Sequence, residues 1–224
     1  MLLEIEHKEV SDKVYEIMKE KILRREFKGG DKLDLNVLSE QMKISRTPLK
    51  DAITRLAAER LVEVKPRSGT FVSRVTSQDI EQIMDIRLMI ELWALSRLNP
   101  DSCAELYAHL EQILKQSQQI IDDGPFSIVK FLECDAEFHR TIVKFSGNPR
   151  LVEMYDAVNC FIQITRIFYY RNAEDAVSSH RFHSNVAKFI GENNLPEALK
   201  RLEAHLTDSR EKMVNILNDI GGYV

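Results

Sequence analysis

Apolar residues recur at helical intervals through most of the chain, and one short stretch interrupts this pattern. Over roughly residues 9–26 they follow the period of an amphipathic helix. Near residue 62 the sequence changes to short β-branched segments marked by Gly and Pro, which predict strands around 61–64 and 70–73. From Ser77 onward the spacing is again almost entirely helical. The pattern therefore predicts a small mixed segment followed by a larger all-helical one.

Two shorter helices are predicted between the first helix and the strands. Asp34 can cap the earlier one, and Ser45 stands at the N-cap of the later one with Pro48 in its first turn, where the missing N–H is harmless. Residues 65–69 join the two strands as a basic hairpin tip. Three helices and such a hairpin describe a winged helix-turn-helix, whose third helix enters the major groove of DNA.

The polar face of the third helix supplies candidate DNA contacts. Arg46 can pair with a guanine through two hydrogen bonds, and Thr47 can reach a base or a phosphate. Lys50 lies on the same polar face, and Arg67 at the hairpin tip can meet the backbone or enter a minor groove. The alternative interpretation is that these are ordinary solvated charges.

The helical half predicts an antiparallel bundle. Helix-breaking segments at 99–101, 124–125, 147–149 and 191–196 divide it into five or six helices, depending on residues 172–180, with the third starting at Gly124 and Pro125. Short connections of this kind favour antiparallel neighbours around one core. The fold class expected for the whole chain is therefore mainly α, with residues 1–76 and 77–224 as two domains.

Four residues in this half have the spacing of a metal site. Asp135 and His139 are four apart in one predicted helix and share a face, whereas His183 and His205 lie at similar distances from a helical hairpin bend and can stand side by side. One carboxylate and three imidazoles would suit Zn²⁺ or Ni²⁺. Histidines spread over three helices are, however, more often surface or core residues, and His109 is interpreted in that way.

Other polar residues of the helical half leave alternatives open. Like His109, His180 has no comparable partner and is interpreted as structural or solvated. Arg87 precedes Glu91 by four residues, so a helical ion pair and a ligand contact are both compatible with its position. Three further residues could line a ligand cavity in this half, but their spacing does not decide it: Arg166, Tyr169 and Arg171.

Charge is distributed unevenly between the two halves. The net charge of −4 argues at first against a nucleic-acid partner. Residues 1–76, however, carry 16 Lys and Arg against 13 Asp and Glu, a net of +3, which leaves 15 against 22, a net of −7, for residues 77–224. A change of sign between halves indicates two domains with different partners. Only the first half is electrostatically suited to DNA.

Composition and hydropathy indicate a cytoplasmic protein. The chain has 44% hydrophobic residues, 8 Gly and 6 Pro, which excludes collagen-like and largely disordered classes. The sequence contains no run of about 18 apolar residues that could span a membrane. The first thirty residues lack the apolar core of a signal peptide. The 3 cysteines form no C-x-x-C pair, which is typical of buried free thiols in a reducing compartment.

The first half resembles the GntR family of bacterial transcriptional regulators. The resemblance covers about residues 9–75 and is carried by Ser-Arg-Thr-Pro-Leu-Lys-Asp-Ala-Ile at 45–53 and by Pro-Arg-Ser-Gly-Thr-Phe-Val at 66–72. Two residues depart from the family pattern: Lys50 stands for the usual arginine, which favours a phosphate contact over base recognition, and Arg60 stands for the usual glycine. The resemblance implies DNA contacts from Ser45, Arg46, Thr47, Lys50, Arg67 and Gly69.

The second half resembles the FCD domain, the all-helical effector domain of the FadR-type branch of that family. The resemblance spans about residues 78–215, through Asp-Ala-Glu-Phe-His at 135–139, Gly-Asn-Pro-Arg-Leu at 147–151, His183 and Ala-His-Leu at 204–206. It implies a divalent metal bound by Asp135, His139, His183 and His205, with Arg87 holding the carboxylate of a small organic acid. Phe182 stands where the family has a glutamate before the third ligand.

Together these resemblances imply a ligand-responsive regulator, and more specifically a repressor. Such a protein would bind a double-stranded operator as a homodimer and would not be an enzyme. The alternative hypothesis is a metal-dependent hydrolase in which the same four ligands activate water. Glu137 is then the nearest candidate base, although it lies only two residues from Asp135 and should point elsewhere on the helix.

Overall fold

The computed structural model describes residues 2–124, 126–169 and 173–223, with the side chains of 2–9, 23, 160–161 and 163–169 left out. The chain forms two compact units. The first comprises the residues up to Thr76 together with Tyr223, and the second spans Ser77–Gly222.

The first unit has the predicted winged helix-turn-helix fold. Its three antiparallel strands lie in the order β1-β3-β2, with Val64 of β2 opposite Thr70 of β3. The strand β1 was not predicted, because two residues are too short to show a strand period. The elements are α1 (Leu2–Leu23), β1 (Lys32–Leu33), α2 (Leu35–Met42), α3 (Arg46–Ala58), β2 (Val62–Lys65) and β3 (Gly69–Val72).

The helix starts follow from local hydrogen bonding. Asp34 caps α2 as predicted, since its carboxylate accepts from the backbone N–H groups of Asn36 and Val37. Ser45 stands at the N-cap of α3 but makes no side-chain capping hydrogen bond, so its hydroxyl does not stabilise the helix in that way. The inward face of α3 is buried and anchors the helix in the unit through Pro48, Leu49, Ala52, Ile53 and Leu56.

The end of α3 forces a non-glycine residue into the left-handed region. Arg60 has φ = 57°, and the N–H groups of Arg60 and Leu61 donate to the carbonyls of Ala57 and Leu56. These two bonds form the Schellman turn that glycine usually closes. The structure thus shows that Arg60 in place of glycine keeps the turn and bears the backbone strain.

The second unit is a bundle of helices, as predicted. The third helix of the bundle begins later than predicted, at Ile128 with Ser127 as its N-cap rather than at Gly124, and Pro125 lies outside the described residues. The helices of this unit are α4 (Ser77–Ser96), α5 (Pro100–Asp122), α6 (Ile128–Lys144), α7 (Pro149–Tyr169), α8 (Ala173–Gly191) and α9 (Leu195–Asp219).

Side-chain and backbone contacts show how neighbouring helices run. Arg210 of α9 donates to Asp85 of α4 at 2.7 Å, and the N–H of Ser77 donates to the carbonyl of Gly222, so α4 and α9 are antiparallel. The guanidinium of Arg140 on α6 forms two hydrogen bonds with Asp156 on α7, close to the turn that joins them. The helices α6 and α7 are therefore antiparallel as well.

Two further predictions concern membrane spans and the state of the cysteines. No helix in the described ranges is long and apolar enough to cross a membrane. Cys103 is a buried free thiol and Cys134 a half-buried one, while the side chain of Cys160 lies outside the described residues.

Candidate metal centre and DNA-contact surface

Three histidines from three helices meet in the interior of the second unit. His139 on α6, His183 on α8 and His205 on α9 are all buried. The Nε2 of His183 lies 3.1 Å from the Nε2 of His139 and 3.1 Å from that of His205. Asp135, one turn before His139, places Oδ1 3.5 Å from the His183 Nε2. The structure thus brings together all four residues predicted as metal ligands.

These distances fit a single metal ion. Two adjacent ligand atoms that each lie about 2.0–2.1 Å from a metal are about 2.8–3.0 Å apart in octahedral geometry and about 3.3–3.4 Å apart in tetrahedral geometry. Burial, followed by the nearby His183, lowers the pKa of His205 well below its ordinary value, so its imidazole is neutral and able to act as a ligand. The three imidazoles and the carboxylate therefore form a chemically suitable set for a divalent cation.

Neighbouring side chains fix the orientation of the imidazoles. The Nδ1 of His139 lies 2.7 Å from Oε2 of Glu91, so its N–H donates to that carboxylate and its Nε2 lone pair faces the cluster. The ring of Phe138 stacks on His183 with centroids 4.3 Å apart. Phe182, which stands where the FCD pattern has a glutamate, lies against His205 with centroids 5.5 Å apart. Packing and one carboxylate thus hold the rings.

Glu91 also holds Arg87, and this double role was missed from the sequence. Arg87 is buried on α4, and its Nε donates to Glu91 Oε1 at 2.5 Å, so the helical ion pair forms. Tyr155 of α7 donates to the same oxygen at 3.1 Å. Burial acts to lower the pKa of Arg87, but Glu91, Tyr155 and Asp135 outweigh it, so the guanidinium stays charged.

The ion pair leaves part of the guanidinium unused. The Nη2 of Arg87 is buried and has no hydrogen-bond partner among the residues that the structure describes. A buried charged donor without a partner is costly, which favours a binding role for this nitrogen. The helical ion pair and a ligand contact are therefore compatible with each other.

The predicted DNA contacts lie on the surface of the first unit. Arg46 and Lys50 are exposed on α3, and Arg67 is exposed at the hairpin tip with φ = 62°. Within the described residues none of these three cations forms an ion pair. By contrast, Arg55 on the same helix is tied to Asp12 and lies over the Tyr15 ring.

The smaller residues of the predicted DNA surface are placed as follows. Ser45 and Thr47 are exposed at the start of α3. Gly69 begins β3 with φ = 126°, and a Cβ there would come 2.8 Å from the Lys32 side chain. Only glycine fits such a position without strain, so Gly69 shapes the hairpin whether or not its backbone meets DNA.

The remaining polar candidates lie apart from the cluster. His109 is exposed, with Nδ1 2.9 Å from the Glu105 carbonyl, and His180 is half-buried, with Nδ1 2.8 Å from the Ser117 hydroxyl. Glu137 pairs with Lys144 on the exposed side of α6 and is not oriented as a base toward the histidines. The side chains of Arg166, Tyr169 and Arg171 lie outside the described residues.

Comparison with known proteins assigns families to the two halves. Residues 10–72 match the family described as bacterial regulatory proteins, gntR family, and residues 82–208 match the FCD domain. The uncharacterized HTH-type transcriptional regulator YdhC of Bacillus subtilis (strain 168) is 24% identical over 205 residues, which cover 92% of this chain and 91% of YdhC. The matched families and relatives are transcriptional regulators and not enzymes, so the hydrolase hypothesis is wrong.

Solved structures share the fold. A GntR regulator from Rhodococcus sp. RHA1 superposes with a TM-score of 0.79 at 17% identity, covering 92% of this chain and 97% of its own. A Zn²⁺-bound FCD domain superposes with a TM-score of 0.50 at 20% identity, covering 64% of this chain and 96% of its own.

Proposed function

Because the chain belongs to the GntR family of bacterial regulatory proteins and carries an FCD domain, we propose that this DNA-binding regulator is a repressor controlled by a small carboxylate. The carboxylate binds beside a divalent metal in the helical unit, and its binding lowers the affinity of the protein for its operator. The single observation that carries this proposal is the convergence of three buried histidine Nε2 atoms.

The proposal assigns DNA binding to the winged helix-turn-helix of residues 1–76. Arg46 contacts a base edge, while Lys50 and Arg67 contact phosphates or a groove edge. Their exposure and their lack of ion pairs within the described part of the chain support this role, since each cation remains available for DNA. Ser45, Thr47 and the Gly69 backbone complete the contact surface.

We assign metal binding to the helical unit, Ser77–Gly222, which lies within the predicted domain of residues 77–224. Asp135, His139, His183 and His205 hold Zn²⁺ or Ni²⁺, two ions that accept this mixture of nitrogen and oxygen ligands. A bound metal supplies a Lewis acid that attracts a carboxylate.

Arg87 gives the effector a second attachment point in the proposed site. A guanidinium matches two carboxylate oxygens, and no described residue forms a hydrogen bond with the Nη2 of Arg87. Binding at this position would also compensate the cost of an unsatisfied buried donor.

The test measures operator binding and metal content on the same proteins. Fluorescence anisotropy with DNA from upstream of the coding sequence reports affinity, and elemental analysis of untagged protein reports metal. We expect sequence-preferring binding that Arg46→Ala weakens by about tenfold or more, equivalent to about 1.4 kcal/mol. We expect His183→Ala and His205→Ala to lose metal.

Matched variants separate these roles from general damage. Arg24→Ala removes an exposed cation just after the end of α1 and should leave operator affinity unchanged. His109→Ala removes an exposed histidine and should leave metal content unchanged. Operator binding without sequence preference, or full metal content in both buried-histidine variants, would contradict the proposal. So would an operator affinity that no mono-, di- or hydroxycarboxylate changes.

A further inference from the structure

Besides the Nη2 of Arg87, a buried polar atom of Asn159 also lacks a hydrogen-bond partner among the described residues. The Oδ1 of Asn159 on α7 makes no hydrogen bond in the described structure, although the residue is only 6% exposed. The Nη2 of Arg87, which is 1% exposed, is in the same condition. An unsatisfied buried polar group costs about 1–3 kcal/mol. A buried donor and a buried acceptor that both lack hydrogen bonds, and that lie near each other, indicate a position where a ligand could supply both bonds.

Asn159 lies on the face of α7 that carries Tyr155. Tyr155, Asn159 and Ile162 follow at intervals of four and three residues, which places them on one side of the helix. Tyr155 and Ile162 are fully buried, and the Tyr155 hydroxyl donates to Glu91 of α4. This face of α7 is therefore directed toward the interior that contains the candidate metal site.

The helix directions place Asn159 one turn farther than Tyr155 from the connection between α6 and α7. The paired hydrogen bonds of Arg140 with Asp156, next to the short turn between α6 and α7, make these helices antiparallel. The step from Tyr155 to Asn159 covers about 6 Å along α7. It leads away from the turn, in the same direction as the step from His139 back to Asp135.

The same step leads toward Arg87 on α4. Short connections make α4, α5 and α6 alternate in direction, so α4 runs parallel to α6 and antiparallel to α7. Tyr155 is bonded to Glu91, and Arg87 lies one turn before Glu91. Asn159 lies one turn after Tyr155 on α7, and α4 runs in the opposite direction. Asn159 is therefore expected at the level of Arg87, one turn before Glu91.

The two atoms are chemically complementary to one class of ligand. A guanidinium N–H donates to a carboxylate, and an amide oxygen accepts from a hydroxyl. A neutral hydroxyl is favoured over an amine, because an ammonium group would repel the nearby Arg87 cation. We propose that Asn159 determines effector specificity by accepting a hydrogen bond from the hydroxyl of a hydroxycarboxylate whose carboxylate Arg87 holds. This inference rests on the proposed function.

The test compares acids that differ only at the hydroxyl position. Metal-loaded protein is titrated with lactate, propionate and pyruvate, and with malate and succinate, by calorimetry. We expect wild-type protein to prefer the hydroxy acid by about tenfold or more, because a site that accepts from a hydroxyl loses that bond with the other acids. We expect Asn159→Leu, which keeps the branched shape of the side chain and removes its polar group, to lose most of this preference while retaining metal.

Each other outcome overturns the assignment. A hydroxyl preference that survives in Asn159→Leu would show that metal chelation selects the hydroxyl. An Asn159-dependent preference for pyruvate would show that the amide donates instead of accepting. Equal affinities for all the acids in wild-type protein would remove the specificity but keep the effector site. If no acid binds metal-loaded protein, the proposed function fails as well.

Two controls keep the test interpretable. Asn215→Leu on the exposed side of α9 makes the same substitution away from the site and should bind all the acids like wild type. Asn159→Ala replaces Asn159→Leu if the larger side chain prevents folding, and it should also lose the hydroxyl preference. A preference retained in correctly folded Asn159→Ala overturns the assignment.

Discussion

Glu91 connects the candidate metal ligands to the candidate ligand anchor. One carboxylate oxygen accepts from His139 at 2.7 Å, and the other accepts from Arg87 and Tyr155. A carboxylate on the outer nitrogen of a metal-binding histidine fixes the ring and raises its basicity as a ligand. The negative charge of Glu91 also balances the positive charge of the buried Arg87 guanidinium.

Replacing the Glu91 carboxylate by an amide should weaken metal binding. We expect Glu91→Gln to lower metal affinity by about 10–100-fold, because a neutral amide polarises the His139 ring less than a carboxylate does. Competition with a chromogenic chelator measures the affinity. Glu137→Gln removes an exposed carboxylate of α6 and should have wild-type affinity. Unchanged metal affinity in Glu91→Gln would show that Glu91 only neutralises Arg87.

Residue spacing could predict the metal ligands but not Glu91 as their support. Asp135 and His139 share a helix face, and His183 and His205 flank one hairpin bend, so local periodicity relates the members of each pair. The contact between Glu91 and His139 joins residues 48 positions apart. No local pattern encodes such a contact, because it depends on how two helices pack in the bundle.

Arg60 offers a test of backbone strain at a single residue. Its side chain is exposed, so the left-handed φ of 57° is the main structural consequence of an arginine there. We expect Arg60→Gly to stabilise the protein by about 0.5–1 kcal/mol, since relief of the strain outweighs the flexibility of glycine in the unfolded chain. Urea unfolding followed by circular dichroism measures the change. Arg60→Ala keeps the strain and should show no comparable gain.

At the scale of elements, helices with a strong apolar periodicity were predicted correctly, whereas helix boundaries with weak sequence signals were predicted imprecisely. The long apolar stripes of the bundle predicted its helices, because burial of one face sets the period of each. The start of α6 was misplaced, since Gly124 and Pro125 suggest a boundary as strongly as the true N-cap Ser127 does. The short strand β1 exists through its pairing with β3, which no local pattern encodes.

Two of the cations on α3 should contribute differently to DNA binding. We expect Lys50→Ala to weaken binding to all DNA sequences about equally and to reduce the salt slope by about one, as loss of a phosphate contact does. We expect Arg46→Ala to relax preference at one base position, because a bidentate base contact carries sequence information. Anisotropy titrations at several salt concentrations, on operator and substituted operators, measure both. A sequence-specific loss in Lys50→Ala would assign base recognition to this lysine.

At the scale of the whole molecule, the charge balance conceals the difference between the halves. The net of −4 combines +3 in residues 1–76 with −7 in residues 77–224. A domain with only a small positive excess gains little affinity from bulk charge. Two copies bound to two half-sites would raise the effective affinity without further charge, because the second contact becomes intramolecular. Operator binding by this chain is therefore expected to depend on dimerisation.

One face of α4 carries three exposed apolar side chains. Ile86, Met89 and Trp93 recur at helical spacing, and each is exposed, from 39% for Ile86 to 64% for Met89. An apolar stripe on an otherwise polar surface commonly marks a protein interface. The homodimer proposed for operator binding provides the occupant of this stripe, since a two-fold interface pairs one face with itself.

A charge in this stripe should separate the dimer. We expect Met89→Lys to be monomeric by light scattering at concentrations where wild-type protein is dimeric, because a buried unpaired lysine opposes association. The same variant should bind a two-site operator about 10²-fold or more weakly, since the gain from linked binding is lost. Its metal content should not change, because the candidate ligands lie on α6, α8 and α9. Val177→Lys, an exposed apolar position on α8, should remain dimeric. A dimeric Met89→Lys variant would place the interface on another face of the bundle.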